Sequence, residues 1–171
     1  MKKLLFLLLT VVILVGCSGK TIEEKPKLIG MANPWTDCGT NFNQAAQIAG
    51  FTFSLKLSHY SVRAMKNMIE INYPLDETRT VCVRKTATEK FSNNGDISGV
   101  YIDYPVNEKI TLQNSVPIQT RGTGDKIYVM NMAASSGYYS AYCKDGMSLQ
   151  EVEEIYNTIA EAETSELYSK N

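Results

Sequence analysis

The stretch GTGDKIYVMNMAASSGYYSAYC (122–143) contains two runs of strand-forming residues and the turn signals that flank them. In Lys126–Ala133 two methionines occupy alternate positions, as expected when successive side chains point to opposite faces of a strand. Tyr138–Cys143 is a second candidate strand, and Ser135-Ser136-Gly137 between the two is typical of a turn. The stretch therefore predicts an antiparallel hairpin.

The same short-period pattern recurs through the middle of the chain, with turn residues at short intervals. Such spacing favours antiparallel hairpins, because parallel strands would need a helix between them. The predicted fold class is α+β, a curved antiparallel meander with a short N-terminal helix and a C-terminal helix that closes it. The further candidate strands are Phe51–Leu57, Ile69–Tyr73, Val81–Arg84, Ile97–Tyr104, Lys109–Leu112 and Val116–Thr120.

Two helices flank the strands. Thr40–Ala49 has an apolar face, Asp37 or Thr40 is placed to cap its start, and Gly50 suits the left-handed position just after its end. Ser148–Ala162 carries a longer apolar stripe. The S-x-x-E sequence at its start predicts a capping box, in which Ser148 and Glu151 bind each other's backbone N–H groups.

The N-terminal residues predict a targeting signal rather than an element of the folded domain. Leu4–Gly16 is an apolar run of 13 residues after two lysines, too short for the roughly 20 residues that span a membrane. This arrangement is typical of a secretory signal. Leu14-Val15-Gly16-Cys17 resembles the bacterial lipobox, which implies that residues 1–16 are removed and that Cys17 becomes an acylated first residue carrying a diacylglycerol anchor and fatty acid such as palmitate. The expected location is the cell membrane, lipid-anchored and facing outside the cytoplasm.

The mature chain divides into three predicted parts: a polar tether over 17–27, a single α+β domain over 28–163 and a polar tail over 164–171. Loss of Lys2 and Lys3 leaves 15 basic residues against 18 acidic ones, a net charge of −3. Lysines and arginines are scattered without a basic run, so no nucleic-acid partner is expected. The expected partners are membrane lipid, through Cys17, and a protein or envelope polymer of unknown identity.

Several short segments within the domain are similar in order to those of a known family. Together they resemble secreted and membrane-anchored domains of unknown function that are common in Gram-positive bacteria. The resemblance implies a curved antiparallel sheet with flanking helices, outside the membrane, and it implies no activity, substrate or catalytic residues. The segments are Ile29–Trp35, Ala49-Gly50-Phe51, Met68–Tyr73, Val83-Arg84-Lys85, Asp96-Ile97-Ser98-Gly99 and Gly146-Met147-Ser148.

Motifs for catalysis and metal binding are missing from the sequence. His59 is the only histidine, which excludes metal sites built on paired histidines, and its polar surroundings indicate a solvated loop. There is no G-x-S-x-G elbow and no phosphate-binding glycine motif. The oxygen-rich Asn93–Asp96 lacks the number of ligands that a calcium loop needs and predicts a turn. We therefore expect no enzyme activity, no cofactor and no metal.

Three cysteines remain once Cys17 is acylated. Outside the membrane a disulfide is permitted, and the pairing among Cys38, Cys82 and Cys143 stays open. Cys82 and Cys143 lie in predicted strands, so a cross-strand or core contact is one interpretation. Cys38 opens the first helix, where the helix N-terminus would make a thiol more acidic. A reactive Cys38 is the alternative to structural or buried thiols.

Tyrosines crowd the second half of the domain. If Trp35, Tyr138, Tyr139 and Tyr142 share an exposed sheet face, they could stack on a glycan or hold a peptide. The alternative is that these rings pack half-buried in strands, as their β propensity favours. The predicted role is noncatalytic binding, sensing or envelope maintenance. A second hypothesis is a carrier that holds an acyl chain between the sheet and the C-terminal helix.

Overall fold

The computed structural model describes residues 33–87, 95–112 and 117–169, with side chains as far as 164. The predicted signal 1–16, Cys17, the tether and residues 28–32 lie outside the described residues. The described residues make up one compact unit. Its elements are β1 (Thr36–Asp37), α1 (Phe42–Ala49), β2 (Ser61–Met65), β3 (Met68–Pro74), β4 (Thr80–Ala87), β5 (Val106–Ile110), β6 (Ile118–Gly122), β7 (Ile127–Ala134), β8 (Gly137–Met147) and α2 (Leu149–Ser169).

The eight strands form one open antiparallel sheet in the order β1-β2-β3-β4-β8-β7-β6-β5. The α+β class is therefore confirmed. The strand order, however, is that of two four-strand meanders rather than the single one expected. After β4 the chain crosses to the far edge of the sheet, and the second meander returns so that β8 pairs with β4.

One face of the sheet holds the main core and both helices. Its residues alternate with those of the opposite face, as the register Val62↔Ile71↔Val83↔Ala141 shows. Buried residues of α1 and α2 join the same cluster, which makes this the helix face. Burying each large aliphatic side chain contributes roughly 1.5–3 kcal/mol. The opposite face is the second face, and it carries Arg63, Glu70, Arg84, Asn131 and Arg121 at the alternate positions.

Helix α1 begins two residues later than the sequence pattern indicates. Asn41 caps it by accepting a hydrogen bond from the Gln44 backbone N–H at 3.0 Å. Asp37, one of the expected caps, instead accepts the Gly39 N–H at 2.9 Å in the turn before the helix. Gly50 ends the helix with φ of 82°, and its N–H reaches the Ala46 carbonyl, so the predicted left-handed cap is confirmed.

Helix α2 begins with the predicted capping box. The Ser148 hydroxyl accepts from the Glu151 N–H at 3.2 Å, and the Glu151 carboxylate accepts from the Ser148 N–H at 2.8 Å. Arg79 also binds Glu151 and fixes the helix start to the β3–β4 turn. The helix runs to Ser169, beyond the predicted end of the domain at 163. Neither described helix is long and apolar enough to cross a membrane.

Two of the predicted strands do not join the sheet. In Phe51–Leu57 the expected alternation holds, with Phe53 and Leu55 buried, but the segment packs over the core without forming a ladder. Ile97–Tyr104 also contains no strand, because its backbone groups are bound by side chains of the sheet below it. The pattern missed β2, in which burial alternates as expected but Val62 and Ala64 are the only two buried residues.

Candidate binding site

A buried carboxylate organises one end of the second face. Glu70 lies on β3 with none of its surface exposed, and the sheet register places it between Arg63 of β2 and Arg84 of β4. Arg63 Nε donates to Glu70 Oε1 at 2.8 Å, and Arg84 Nε donates to Oε2 at 2.9 Å. Arg63 Nη2 also donates to Oε1, and Asn72 Nδ2 donates to the same oxygen at 2.8 Å. Both carboxylate oxygens are thus occupied.

The surroundings of Glu70 keep it ionised. Burial alone would raise its pKa, but hydrogen bonds from Asn72 and Arg63, together with the charge and hydrogen bond of Arg84, outweigh burial and hold the pKa below its usual range. The negative charge is therefore present at neutral pH, between two guanidinium groups. A carboxylate bonded in this way fixes the position of both arginines.

Those arginines in turn hold Trp35, which lies just before β1. The Arg63 and Arg84 guanidinium carbons lie 5.5 and 5.3 Å from the centre of the Trp35 ring. Each such cation–π contact contributes about 0.5–1 kcal/mol when partly exposed. The ring is half-buried. It is consequently presented at the surface in a fixed orientation rather than as a loose side chain.

A crossing segment (Gly95–Val100) runs over the middle of the second face. Arg84 Nη1 donates to the carbonyls of Ile97 and Ser98 at 3.1 and 2.6 Å. The Ile97 N–H donates to the Ser140 hydroxyl at 3.1 Å. Since Ser140 belongs to β8, the segment is bound from two adjacent strands, β4 and β8.

Arg121 of β6 binds the same segment from the other side. Its Nη2 donates to Asp96 Oδ2 at 2.7 Å, to the Ser98 hydroxyl at 3.1 Å and to the Val100 carbonyl at 3.0 Å. Its Nε is buried and has no hydrogen-bond partner among the described residues. The crossing segment is thus clamped between Arg84 and Arg121.

A groove of about 1250 Å³ lies on this face, along both the crossing segment and the strands beneath it. Its lining combines apolar side chains with aromatic rings, amides and cations, which suits a ligand that makes both apolar and polar contacts. The lining residues of this second-face groove include Trp35, Met65, Met68, Arg84, Asp96, Tyr101, Asn107, Lys109, Gln119, Arg121, Asn131 and Tyr138.

Three of the four predicted aromatic residues lie on the second face. Trp35 and Tyr138 line the groove. Tyr142 points to the same face, opposite Cys82, and the pKa of its phenol is raised by burial first and nearby acidic groups second. Sequence reasoning counted Tyr101 among the tyrosines but did not select it, although 95% of its surface is exposed beside the groove.

Tyr139 does not lie on this face, so the prediction that it shares an exposed face with the other three aromatic residues is wrong. It has no exposed surface and lies in the core on the helix face, edge-on to Phe53 at 5.5 Å. Its hydroxyl donates to Glu163 of α2, which also receives the Ser136 hydroxyl. Lys85 Nζ lies 3.3 Å from the same carboxylate. This buried cluster attaches α2 to the sheet.

The three cysteines that the structure describes, Cys38, Cys82 and Cys143, are free thiols. Cys82 points to the second face and Cys143, buried, to the helix face, so the cross-strand contact considered for this pair is wrong. Cys38 is also buried, and burial followed by the charge of Asp37 raises its pKa. The acidic Cys38 considered above is therefore contradicted, because desolvation outweighs any benefit from the helix start.

Cys82 should resist alkylation although it is not fully buried. Burial first, and the Glu70 charge second, raise the pKa of its thiol to about 12. At pH 8 that lowers the thiolate fraction about 10³-fold relative to an unperturbed cysteine. We expect native protein to remain unmodified by iodoacetamide at Cys82 while denatured protein reacts fully, as read by peptide mass spectrometry. Rapid native labelling at this position would contradict the described environment.

Glu70 and Arg84 were not identified as site residues from the sequence. In the pattern Ile-Glu-Ile-Asn, Glu70 occupies the position of a solvent-facing residue. A signal was nevertheless present: Arg63, Glu70 and Arg84 alternate in charge along three consecutive segments, which could align them if the register were known. No group of three or more His, Cys, Asp or Glu residues in the described part of the chain is placed to hold a metal ion.

Comparisons with known proteins give no relatives. No family model, no curated protein and no solved structure matches the chain.

Proposed function

We propose that this chain is a lipid-anchored extracytoplasmic domain with a noncatalytic role, and that it binds its partner in the second-face groove. One observation carries the proposal. Trp35, Tyr101 and Tyr138 border a single groove with the arginines that clamp the crossing segment. Aromatic rings with a polar edge and guanidinium groups are the side chains most enriched where proteins recognise partners.

The groove is also preorganised, which favours binding. Glu70 fixes Arg63 and Arg84, and these fix the Trp35 ring before any ligand arrives. Ordering a long side chain on binding costs about 0.5–1.5 kcal/mol, and groups that are already held avoid that cost. The half-buried Trp35 ring is thereby held against two cations where it lines the groove.

The membrane location rests on the lipobox-like Leu14-Val15-Gly16-Cys17. Two or more acyl chains on Cys17 would anchor the protein stably, because each buried methylene contributes about 0.8 kcal/mol. The polar 17–27 would then connect the anchor to the domain. The curvature of the sheet is also part of the proposal: both helices pack on one face, which fits a sheet that bends around them.

The alternative is a carrier with an acyl chain between the sheet and α2. Where that chain would lie, Val152, Ile155 and Ile159 of α2 pack in one cluster with Cys143 and Met147. This packing favours the groove over the carrier. Native mass spectrometry of the purified full chain distinguishes the two, since a carrier would show a noncovalent lipid that delipidating solvent removes.

Site-specific photo-crosslinking tests the proposed function. The full chain is produced with p-benzoylphenylalanine in place of Tyr101, beside the groove, or in place of the exposed Glu154 on α2 as a control. We expect an ultraviolet-dependent adduct on the cell envelope from position 101 and none from 154. Equal adducts at both positions, or an adduct at 154 alone, would refute a partner in the groove.

The anchor is tested with Cys17→Ala. Wild-type protein is expected in the membrane fraction, resistant to high-salt washing, with a diacylglycerol group on the N-terminal cysteine by mass spectrometry. The variant should lose that modification and be released from the membrane on salt washing. The control is Cys82→Ala, which leaves the lipobox intact. Persistence of the Cys17→Ala chain in washed membranes would contradict the lipid anchor.

A further inference from the structure

We infer that the ligand of the second-face groove is an anionic carbohydrate chain, an assignment that rests on the proposed function and narrows it. The first reason is charge. Arg84, Lys109 and Arg121 line the groove, and Asp96 is the one carboxylate among the lining residues that the structure describes. Asp96 is already neutralised by Arg121 at 2.7 Å.

The excess of positive charge remains when the side chains beneath the groove are included. Arg63 and Glu70 add one cation and one carboxylate, so the described residues of the site comprise four cations and two carboxylates. The whole chain, by contrast, has a net charge of −1. A local positive field on an acidic protein favours negatively charged ligands and raises their rate of association.

The second reason is a polar patch at the far side of the groove. Asn107 and Lys109 of β5 and Gln119 of β6 share the second face, since Asn107 pairs with Arg121 and Lys109 with Gln119. Gln119 Nε2 donates to Asn107 Oδ1 at 2.5 Å. That bond leaves the Asn107 amino group as a donor and the Gln119 carbonyl as an acceptor. A donor and an acceptor side by side can bind neighbouring hydroxyls of a sugar.

The third reason is the aromatic component. Trp35 and the highly exposed Tyr101 provide rings beside these polar groups. An aromatic ring packs against the apolar face of a sugar while nearby amides and cations bind its hydroxyl and acidic groups. Lys109, which is exposed on β5, is the cation placed to meet an acidic group on the chain.

An acidic peptide fits the site less well. Peptides commonly bind sheets by adding a strand to an edge, where backbone groups are unpaired. The groove instead lies over a face of the sheet, where the backbone groups of β6, β7 and β8 are used in the ladder and the edge strand β5 contributes the second-face side chains Asn107 and Lys109. A ligand in the groove must therefore be recognised by side chains. The aromatic, amide and cationic side chains here are of the types that bind the apolar faces, hydroxyls and acidic groups of sugars.

The test measures binding of the full chain in nonionic detergent at low salt. The probes are polygalacturonate, which carries carboxylates, phosphorylated mannan, which carries phosphates, neutral dextran and polyglutamate. We expect salt-sensitive binding to at least one of the two anionic glycans, no binding to dextran and weaker binding to polyglutamate. The two anionic probes distinguish a carboxylate from a phosphate ligand.

Variants locate the binding. Lys109→Gln is expected to weaken glycan binding about three- to fivefold, the effect of one exposed charge pair, and Asn107→Ala with Gln119→Ala should weaken it further. Lys56→Gln is the matched control, because Lys56 is exposed and outside the groove. Circular dichroism checks that each variant folds.

Three results would overturn the assignment: no binding to either anionic glycan, polyglutamate binding as tight as glycan binding, or glycan binding that Lys109→Gln leaves unchanged. None of them removes the adduct at position 101 described above. Loss of that adduct refutes the groove as the binding site, whereas its presence with a failed glycan panel refutes the carbohydrate alone.

Discussion

Replacing Glu70 with glutamine is expected to lower the free energy of unfolding by about 3 kcal/mol. Removal of one partner of a buried ion pair typically costs 3–5 kcal/mol, because the remaining charge is left uncompensated. Here the remaining charges are Arg63, which is partly exposed and can regain water, and Arg84, whose side chain is 19% exposed. The expected loss of unfolding free energy is therefore at the lower end of this range, because water can solvate the Arg63 guanidinium once its partner is neutral.

Urea unfolding of the full chain in detergent gives the measurement. Glu77→Gln is the control, since Glu77 is exposed and its change should stay within about 0.5 kcal/mol. The variant should also loosen Trp35, whose fluorescence should shift to longer wavelength as its arginine contacts weaken. A loss below 1 kcal/mol, with unchanged fluorescence, would mean that Glu70 does not organise this end of the second face.

The pH dependence of the same variant gives an independent check. Because the folded pKa of Glu70 lies below its usual value, its contribution is fully present above the unfolded pKa of about 4.3 and disappears as the pH falls through the folded pKa. The difference in stability between wild type and Glu70→Gln should therefore be constant from pH 7 to about 5 and shrink in more acidic solution. A difference that grows on acidification would contradict the sign of the shift.

Local signals in the sequence were sufficient for the fold class, for the end of α1 and for the start of α2. The capping box at Ser148 and the left-handed Gly50 depend on neighbours within a few residues. The strand order depends on which later strand pairs with the free edge of β4. The alternation of apolar and polar residues is the same for any partner, so it does not predict that strand. The crossing of the chain from β4 to β5, and hence the return of β8 to β4, could not be read from period alone.

The predicted aromatic face shows how far the spacing of residues along a strand predicts which side chains share a face of the sheet. Tyr138 and Tyr142 are an even number of residues apart and lie on one face, whereas Tyr139 differs in parity and points to the core. That much was readable from the spacing. The role of Glu70 was not, because a polar residue in alternation predicts solvent, and only the arginines of two neighbouring strands turn that position into a buried ion network.

The second large effect is expected at Gly122, at the end of β6. A β-carbon at this position would lie 2.0 Å from the Lys126 carbonyl oxygen and 3.0 Å from the Ile127 α-carbon. Both atoms belong to backbone, so no side chain can turn aside. The same carbonyl accepts the Thr123 N–H at 2.8 Å and closes the β6–β7 turn. Gly122→Ala should therefore lower the free energy of unfolding by about 3 kcal/mol, at the upper end of overpacking effects.

Gly124 in the same turn is the matched control. A β-carbon there meets nothing within 4 Å, and the residue is exposed, so Gly124→Ala should change stability by less than about 0.5 kcal/mol. Gly122 follows Arg121 at a register shift between β6 and β7. Arg121 is one of the two arginines that hold the crossing segment. The Gly122 variant should therefore also weaken binding in the groove at temperatures where it is still folded. Similar stabilities for the two alanine variants, measured by thermal unfolding, would show that the turn can shift to accept a side chain and that Gly122 is not required for the clamp.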